Sequence, residues 1–414
     1  MPGFEIFGDE ERREIQDVLD SGVLMRYGFD GARNGHWKAL TLEHELAERL
    51  GSQYAHVCSS GTAAVATALA ACGVGAGDEV IVAPFTFVAD IEMILMAGAV
   101  PVFADIDETL CLNPDAVAAA MTDKTKAVLV VHMCGAMARI DALAALCDER
   151  GVVLIEDATQ ALGGQYKGKA LGTFGKAGCF SFDYVKTITC GEGGAIITDD
   201  EAVYEVMQAY TDHGHDHVGS DRGAEGHAHI GTNHRISELH AAVGVAQLRK
   251  LDRMLEVQRS NKAFIKNGLT GLNRVSFRDL PDPEGDSATF LSFFMPTEEQ
   301  ARQAAKDLAA AGVDGCFYWY DNNWHYHRRW DHLKQIRSPG ALAPGKLGYG
   351  EDWADRGDLA KSDAVMGRTI CMLIKLSWDE AALSERLEKM KSVLGLMLPG
   401  AVSTVSTVGA RAIP

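Results

Sequence analysis

Four short apolar runs, at residues 78–83, 100–107, 126–132 and 152–155, are separated by segments of helix length. Strands that alternate with helices at this spacing pair in parallel through crossovers, and a parallel sheet needs helices on both faces. An α/β fold is therefore expected. The 414 residues exceed what one ordinary core accommodates, so a large α/β domain should carry a smaller companion. Beyond residue 260 the segments shorten and mix. This places a large domain at 1–260, a smaller C-terminal α+β domain at 261–398 and a loose tail, nearly without charge, at 399–414. Helices are expected at 7–22, 41–50, 201–211, from 236 to about 254, and at 379–394.

Open α/β sheets bind ligands beyond the carboxyl ends of their strands. The run 152–155 ends in Glu156 and Asp157, with Gln160 close behind. A second apolar segment leads through Ser181 to a solitary Lys186, ahead of the glycine-rich turn Gly191-Glu192-Gly193-Gly194. A lysine among apolar residues and glycines is a candidate Schiff-base former, because desolvation lowers its pKa and frees its lone pair. Beside a buried aspartate it suggests pyridoxal phosphate, whose ring nitrogen needs a carboxylate partner. The plain alternative is a strand-end cap at Asp157 and a surface lysine at 186. Upstream, Ser59-Ser60-Gly61-Thr62 opens an alanine-rich helix. The unpaired N–H groups of such a terminus attract phosphate, although an ordinary N-cap explains the same residues. Ser181 supplies a second hydroxyl for that anion. Phe85 or Phe87, just past a strand end, offers a ring face for stacking, with core packing as the competing reading.

A net charge of −18 opposes nonspecific binding to nucleic acid or an anionic membrane, so the expected partners are small molecules. No apolar run reaches spanning length, and Met1 to Glu5 lacks the basic and apolar segments of a leader. The nine cysteines are scattered without a Cys-x-x-Cys pair, which suits reduced thiols and a cytoplasmic location. Without a Gly-x-Gly-x-x-Gly turn or a Walker loop, nicotinamide and nucleotide-triphosphate chemistry lose their main support. His213, His215, His217, His227, His229 and His234 fall within 22 residues. Zinc is one reading of them, but no cysteine or paired carboxylate completes a ligand spacing, so a polar active-site loop is expected and no metal.

Taken in order, the blocks Ser60-Gly61-Thr62, Pro84-Phe85-Thr86-Phe87, Glu156 to Gln160, Phe180-Ser181-Phe182 with Lys186, and Asn233-His234-Arg235 resemble the DegT/StrS sugar aminotransferases, fold-type-I pyridoxal-phosphate enzymes. The resemblance runs from about Gly22 to Leu396. It implies a central, mostly parallel seven-stranded sheet and an amino group moved from glutamate or glutamine to an oxo-sugar by ping-pong kinetics. It further implies that Lys186 carries the cofactor, Asp157 pairs with the ring nitrogen, Gln160 lies near the ring hydroxyl and Phe87 stacks on the ring. Ser60, Gly61, Thr62 and Ser181 would hold the phosphate. Asn233 would reach the phosphate of a neighbouring subunit, making a homodimer with shared sites. Family members with histidine at the lysine position are dehydratases, so Lys186 favours transamination.

The segment from Met25 to Arg33, with His36-Trp37-Lys38, resembles the branch that aminates C8 of 8-oxo-3,8-dideoxy-octulosonate for lipopolysaccharide biosynthesis. An acidic sugar needs a basic anchor, and Arg26, Arg33 or Arg235 is expected to supply it. His36, His213, in Asp212-His213-Gly214 where the family has Asn-His-Gly, and Trp324 are further acceptor candidates. A nucleotide-linked keto-hexose is the alternative acceptor. Rivals from other classes are a Schiff-base aldolase and a noncatalytic sugar or cofactor sensor.

Overall fold

The structure is a computed structural model in which residues 3–218, 223–224, 226–342 and 359–395 are described; the expected tail lies outside them. The large sheet consists of β1 (Tyr54–Cys58), β2 (Glu79–Val82), β3 (Val100–Phe103), β4 (Thr125–Val131), β5 (Val153–Asp157), β8 (Ala177–Ser181) and β9 (Gly194–Thr198). A hairpin of β6 (Gln165–Tyr166) and β7 (Lys169–Ala170) lies between β5 and β8. The order across the large sheet is β1-β9-β8-β5-β4-β2-β3. β3, β2, β4, β5 and β8 run parallel, while β9 is antiparallel to both its neighbours.

Alternate residues of each strand feed opposite cores, which is why these runs are apolar throughout. Val80, Val82, Ala127, Leu129 and Ile155 pack with the helices Gly61–Ala71, Val88–Met96 and Glu201–Thr211. Ile81, Val128, Val130 and Leu154 pack on the other side with Lys38–Leu50, Ile140–Arg150 and Glu238–Arg249. The expected α/β class and seven-stranded sheet are what the structure contains.

The smaller sheet is antiparallel, of β10 (Ser276–Phe277), β11 (Phe290–Phe294), β12 (Cys316–Phe317) and β13 (Thr369–Leu373), in the order β10-β11-β13-β12. The single helix expected from 236 to about 254 is instead two, Glu238–Arg249 and Leu251–Leu269. They meet at Lys250, whose ammonium is held by Glu11 and the Ile6 carbonyl. Leu251–Leu269 gives Met254 and Leu255 to the large core and Ile265 and Leu269 to the small one, so a rigid rod crosses the expected boundary.

A second link matters more for the site. The end of a tract rich in aromatic residues in the sequence, 316–327, lies antiparallel along the segment that follows β2. Thr86 N–H donates to the His325 carbonyl at 3.0 Å, Val88 N–H to that of Trp324 at 2.8 Å, and His327 N–H to that of Pro84 at 3.0 Å. This ladder carries residues of the C-terminal region to the carboxyl end of the large sheet.

Candidate active site

At that end a cavity of about 490 Å³ is lined by Ser60, Gly61, Thr62, Phe87, Asp90, Asp157, Gln160, Ser181, Lys186, Trp319 and His325, among others. Such a volume suits a small cofactor and substrate. Asp157 is the last residue of β5 and is buried. Its Oδ1 accepts the Thr159 N–H at 2.7 Å, which fixes the carboxylate's direction. Glu156 points to the other face, where its carboxylate accepts the N–H groups of Gly172 (2.8 Å), Phe174 (2.5 Å) and Gly175 (2.7 Å) and meets His132 Nε2 at 2.9 Å. The acidic pair thus divides its labour: Glu156 ties down the loop after β7, and Asp157 faces the cavity.

Lys186 lies in the loop joining β8 to β9, closed at its base by Phe182 N–H to the Gly193 carbonyl and Cys190 N–H to that of Phe182, both 2.8 Å. Burial pushes its ammonium below the usual lysine range, and the charges of Asp157, Asp183 and Asp90 pull it partly back. The result is an amine more available as a base or nucleophile than an ordinary lysine. Lys186 is half-buried and lines the cavity, which favours a chemical role over that of a plain surface lysine.

The helix Gly61–Ala71 starts beside this loop, with the Ser60 hydroxyl accepting the Ala63 N–H at 3.0 Å. Its first turn presents further N–H groups without partners inside the helix. Gly61 is required by packing: a Cβ there would lie 2.6 Å from Ser181 Cβ and 2.9 Å from its Oγ. Helix start and Ser181 side chain therefore press together at the cavity wall. Gln160 is oriented too. Its Oε1 accepts the Cys134 N–H at 2.9 Å, so its amide nitrogen is the end left to donate.

Three lining residues carried no separable signal in the sequence. Asp90, in the first turn of Val88–Met96, is buried and accepts from the Thr86 hydroxyl. His325 arrives through the ladder described above; burial, reinforced by Lys186, pushes its imidazolium down to about 3, so it is neutral at physiological pH. Trp319 packs against it with ring centroids 4.2 Å apart. Phe87 is flanked by Trp324, stacked at 5.7 Å and 2°, and by His325 at 5.5 Å.

Two expected substrate anchors require correction. Arg26 is buried, bonded to Glu43 at 2.6 Å and to the Val57 carbonyl at 3.2 Å. Arg33 is buried as well, donating to the Gly28 carbonyl at 2.6 Å, lying over the Trp37 ring at 3.7 Å and 3.5 Å from Glu238. Both guanidiniums are consumed in fastening the N-terminal segment and are closed to a substrate carboxylate. Arg235 is largely committed as well, to the buried Asp212 at 2.5 Å. His36 sits 3.6 Å from Asp17. His213 and Asn233 are exposed outside this cavity, on a loop bridged Asp212 to Asn233 and His215 to His227. Among the described residues no group of three or more His, Cys, Asp or Glu side chains could hold a metal ion. Nor, among them, is any helix long and apolar enough to cross a membrane.

Fold and pocket together define an α/β enzyme of the fold-type-I class. The model of the DegT/DnrJ/EryC1/StrS aminotransferase family matches residues 6–341, and the chain belongs to that family, whose enzymes use pyridoxal phosphate. The chain is 41% identical over 279 residues to L-glutamine:2-deoxy-scyllo-inosose aminotransferase of Streptomyces kanamyceticus. That match covers 64% of each chain, so this protein spans slightly less than two thirds of the relative's length. It is 38% identical over 263 residues to GDP-perosamine synthase of Vibrio cholerae, covering 63% of this chain and 68% of the other. The solved aminotransferase from Psychrobacter cryohalolentis is similar over 94% of this chain and 97% of its own, with a TM-score of 0.80 at 27% identity.

Proposed function

We propose that this protein transfers an amino group from glutamine or glutamate to the carbonyl carbon of an oxo-sugar or related polyhydroxylated ring. The observation that carries this reading is the meeting of Lys186, Asp157 and the Gly61–Ser181 cradle in one cavity. When bound there, pyridoxal phosphate supplies the electron sink and the carrier of the amino group. The residues present fit it. Gly61 and Thr62 N–H groups with the Ser60, Thr62 and Ser181 hydroxyls would bind its phosphate, and Asp157 would hold a proton on its ring nitrogen. The Gln160 amide would donate toward the ring hydroxyl, and Phe87 would cover a ring face. Lys186, with its ammonium destabilised by burial, would take the proton from the donor's α-carbon as general base and give it back as general acid from the same side.

The relatives named above support this class of donor and acceptor. The finer choice, 8-oxo-3,8-dideoxy-octulosonate, rests on the Met25 to Arg33 segment. Because Arg26 and Arg33 are enclosed, that choice needs its carboxylate anchor from Arg235 or from a second subunit. A nucleotide-linked keto-hexose needs no such anchor and draws support from the likeness to GDP-perosamine synthase. A homodimer completes the reading: Asn233 is exposed away from its own cavity, and Ile230, Phe29 and Trp324 are exposed apolar side chains suited to a partner. In the test, cofactor-loaded protein is treated with L-glutamine or L-glutamate, freed of donor, and offered each acceptor in turn. Conversion by a donor, followed by recovery of the original spectrum and formation of an amino-sugar with one acceptor, is expected. Failure of both donors, or full transamination by Lys186→Ala protein, would overturn the reading.

A further inference from the structure

The loop that carries Lys186 is held from behind by a segment remote in sequence that the chemistry above does not use. Residues Gly3–Ile6 form a short helical turn laid against it. Gly3 is buried, and its N–H donates to the Lys186 carbonyl at 3.1 Å. The Phe4 ring stacks on Tyr184, with centroids 4.7 Å apart and planes 12° from parallel. The turn is tied in its own right to other parts of the fold. The Lys250 ammonium donates to the Ile6 carbonyl at 3.1 Å and to Glu11 at 2.7 Å, and the Glu5 carboxylate accepts the Ser377 N–H at 2.6 Å. Glu11 also accepts from the Gln247 amide at 2.7 Å, and Gln247 Oε1 in turn accepts the Thr189 N–H at 3.4 Å. A second line of contacts thus enters the loop three residues beyond the lysine. The loop has little else at this point: Lys186 N–H closes a turn on the Asp183 carbonyl at 2.9 Å, and Tyr184 and Val185 are exposed.

We propose that Gly3 is a positioning residue for Lys186: by its N–H on the Lys186 carbonyl, and by an approach close enough that only glycine fits, it fixes the loop backbone and thereby the place of the lysine amine in the cavity. The fit is tight. A Cβ at residue 3 would stand 2.7 Å from Gln247 Oε1, 2.8 Å from the Thr187 carbonyl oxygen and 3.0 Å from the Thr189 nitrogen. Two of those three atoms are backbone of the lysine loop, so no side-chain rotation relieves the contact; either the loop or the turn must give way. None of residues 3–6 lines the cavity, so the segment reaches the chemistry only through the loop it braces. A shift of the Lys186 backbone moves the amine away from the atom whose proton it must take, and transfer of this kind depends steeply on such placement. This inference rests on the reading that Lys186 is the reacting amine.

Two measurements test it. In cofactor-free protein, amide hydrogen exchange of the peptide spanning residues 182–191 should quicken about tenfold in Gly3→Ala, with β3 and β4 unchanged. Phe4→Ala removes only the stack on Tyr184 from a partly exposed position; it should fold normally and quicken the same peptide about threefold. In cofactor-loaded protein, Gly3→Ala should lower kcat of the donor half-reaction about tenfold to a hundredfold, with donor KM and the dissociation constant for pyridoxal phosphate within about threefold of wild type. Ile265→Val, which trims the core of the smaller domain, is the control for a general loss of stability and should leave both the loop exchange and kcat as in wild type. Wild-type exchange of the loop in Gly3→Ala and Phe4→Ala, or a fall in kcat that Ile265→Val reproduces, would overturn the proposal. Lys186→Ala separates the two levels: full transamination by that variant removes the reading of Lys186 itself, whereas its inactivity beside braced-loop variants that behave as wild type removes only the role of Gly3.

Discussion

Substituting Gly61 by alanine probes the anion cradle most sharply. The new Cβ would stand 2.6 Å from Ser181 Cβ, where ordinary van der Waals contact begins at 3.4 Å. The helix start and β8 must therefore separate by about 1 Å, and both are backbone-anchored, so a side-chain rotation cannot absorb the clash. Overpacking of this kind costs roughly 1–3 kcal/mol of stability. The larger effect falls on phosphate binding, because hydrogen bonds to a charged group are worth about 1.5–3 kcal/mol each and a 1 Å displacement forfeits most of one or two of them. Gly61→Ala should thus weaken pyridoxal phosphate by roughly 2–4 kcal/mol, about thirtyfold to a thousandfold in dissociation constant. The assay is titration of cofactor-free protein, followed by absorbance and by thermal unfolding. Ser181→Gly in the same chain removes the opposing Cβ, so the double variant should recover the Gly61→Ala loss in stability while still lacking the Ser181 hydroxyl. Wild-type cofactor affinity in Gly61→Ala would refute the cradle.

Other expectations concern residues around the cavity. Glu156→Ala leaves three N–H groups, that of Gly172 buried, and the buried His132 without their acceptor, and should cost roughly 3–5 kcal/mol in denaturant unfolding; a loss below 1 kcal/mol would show that the loop is held otherwise. Arg26→Gln strands buried Glu43 and should destabilise by roughly 3–5 kcal/mol without a selective rise in the acceptor KM; wild-type stability with a raised KM would restore Arg26 as a substrate anchor. His325 has its folded pKa near 3 against 6.5 for an ordinary histidine. As pH falls through 6.5 the unfolded chain gains a proton that the folded chain refuses, so stability is lost between about pH 6.5 and 3. His325→Gln should remove roughly 2–3 kcal/mol of that loss at pH 4, and identical pH profiles for the two proteins would contradict it.

The sheet was legible because two-sided burial writes itself as unbroken apolar strands, and Asp157, Lys186 and Ser60 to Thr62 were legible because ligands gather where those strands end. Asp90 was not. It lies in an apolar helix start, 67 residues before Asp157, whose cavity it shares, and reads locally as an ordinary first-turn acid. His325 and Trp319 belong to a tract whose aromatic excess was visible, but only the ladder onto Pro84 to Val88 decides which of its rings face the cavity. Arg26 and Arg33 misled for a related reason. A glycine-punctuated segment with arginines looks like a surface loop until its partners, Glu43 and Glu238, close over it. The split of one expected helix at Lys250 likewise depends on Glu11 at the far N-terminus.

The assignment of Lys186 is tested most directly by borohydride reduction of the pyridoxal-phosphate-loaded protein, followed by proteolysis and mass mapping of the peptides. Lys186 as the cofactor's attachment site predicts a single stable phosphopyridoxyl mass on the peptide containing Lys186, absent from Lys186→Ala protein. The same label on another lysine, or undiminished labelling of Lys186→Ala protein, would contradict it.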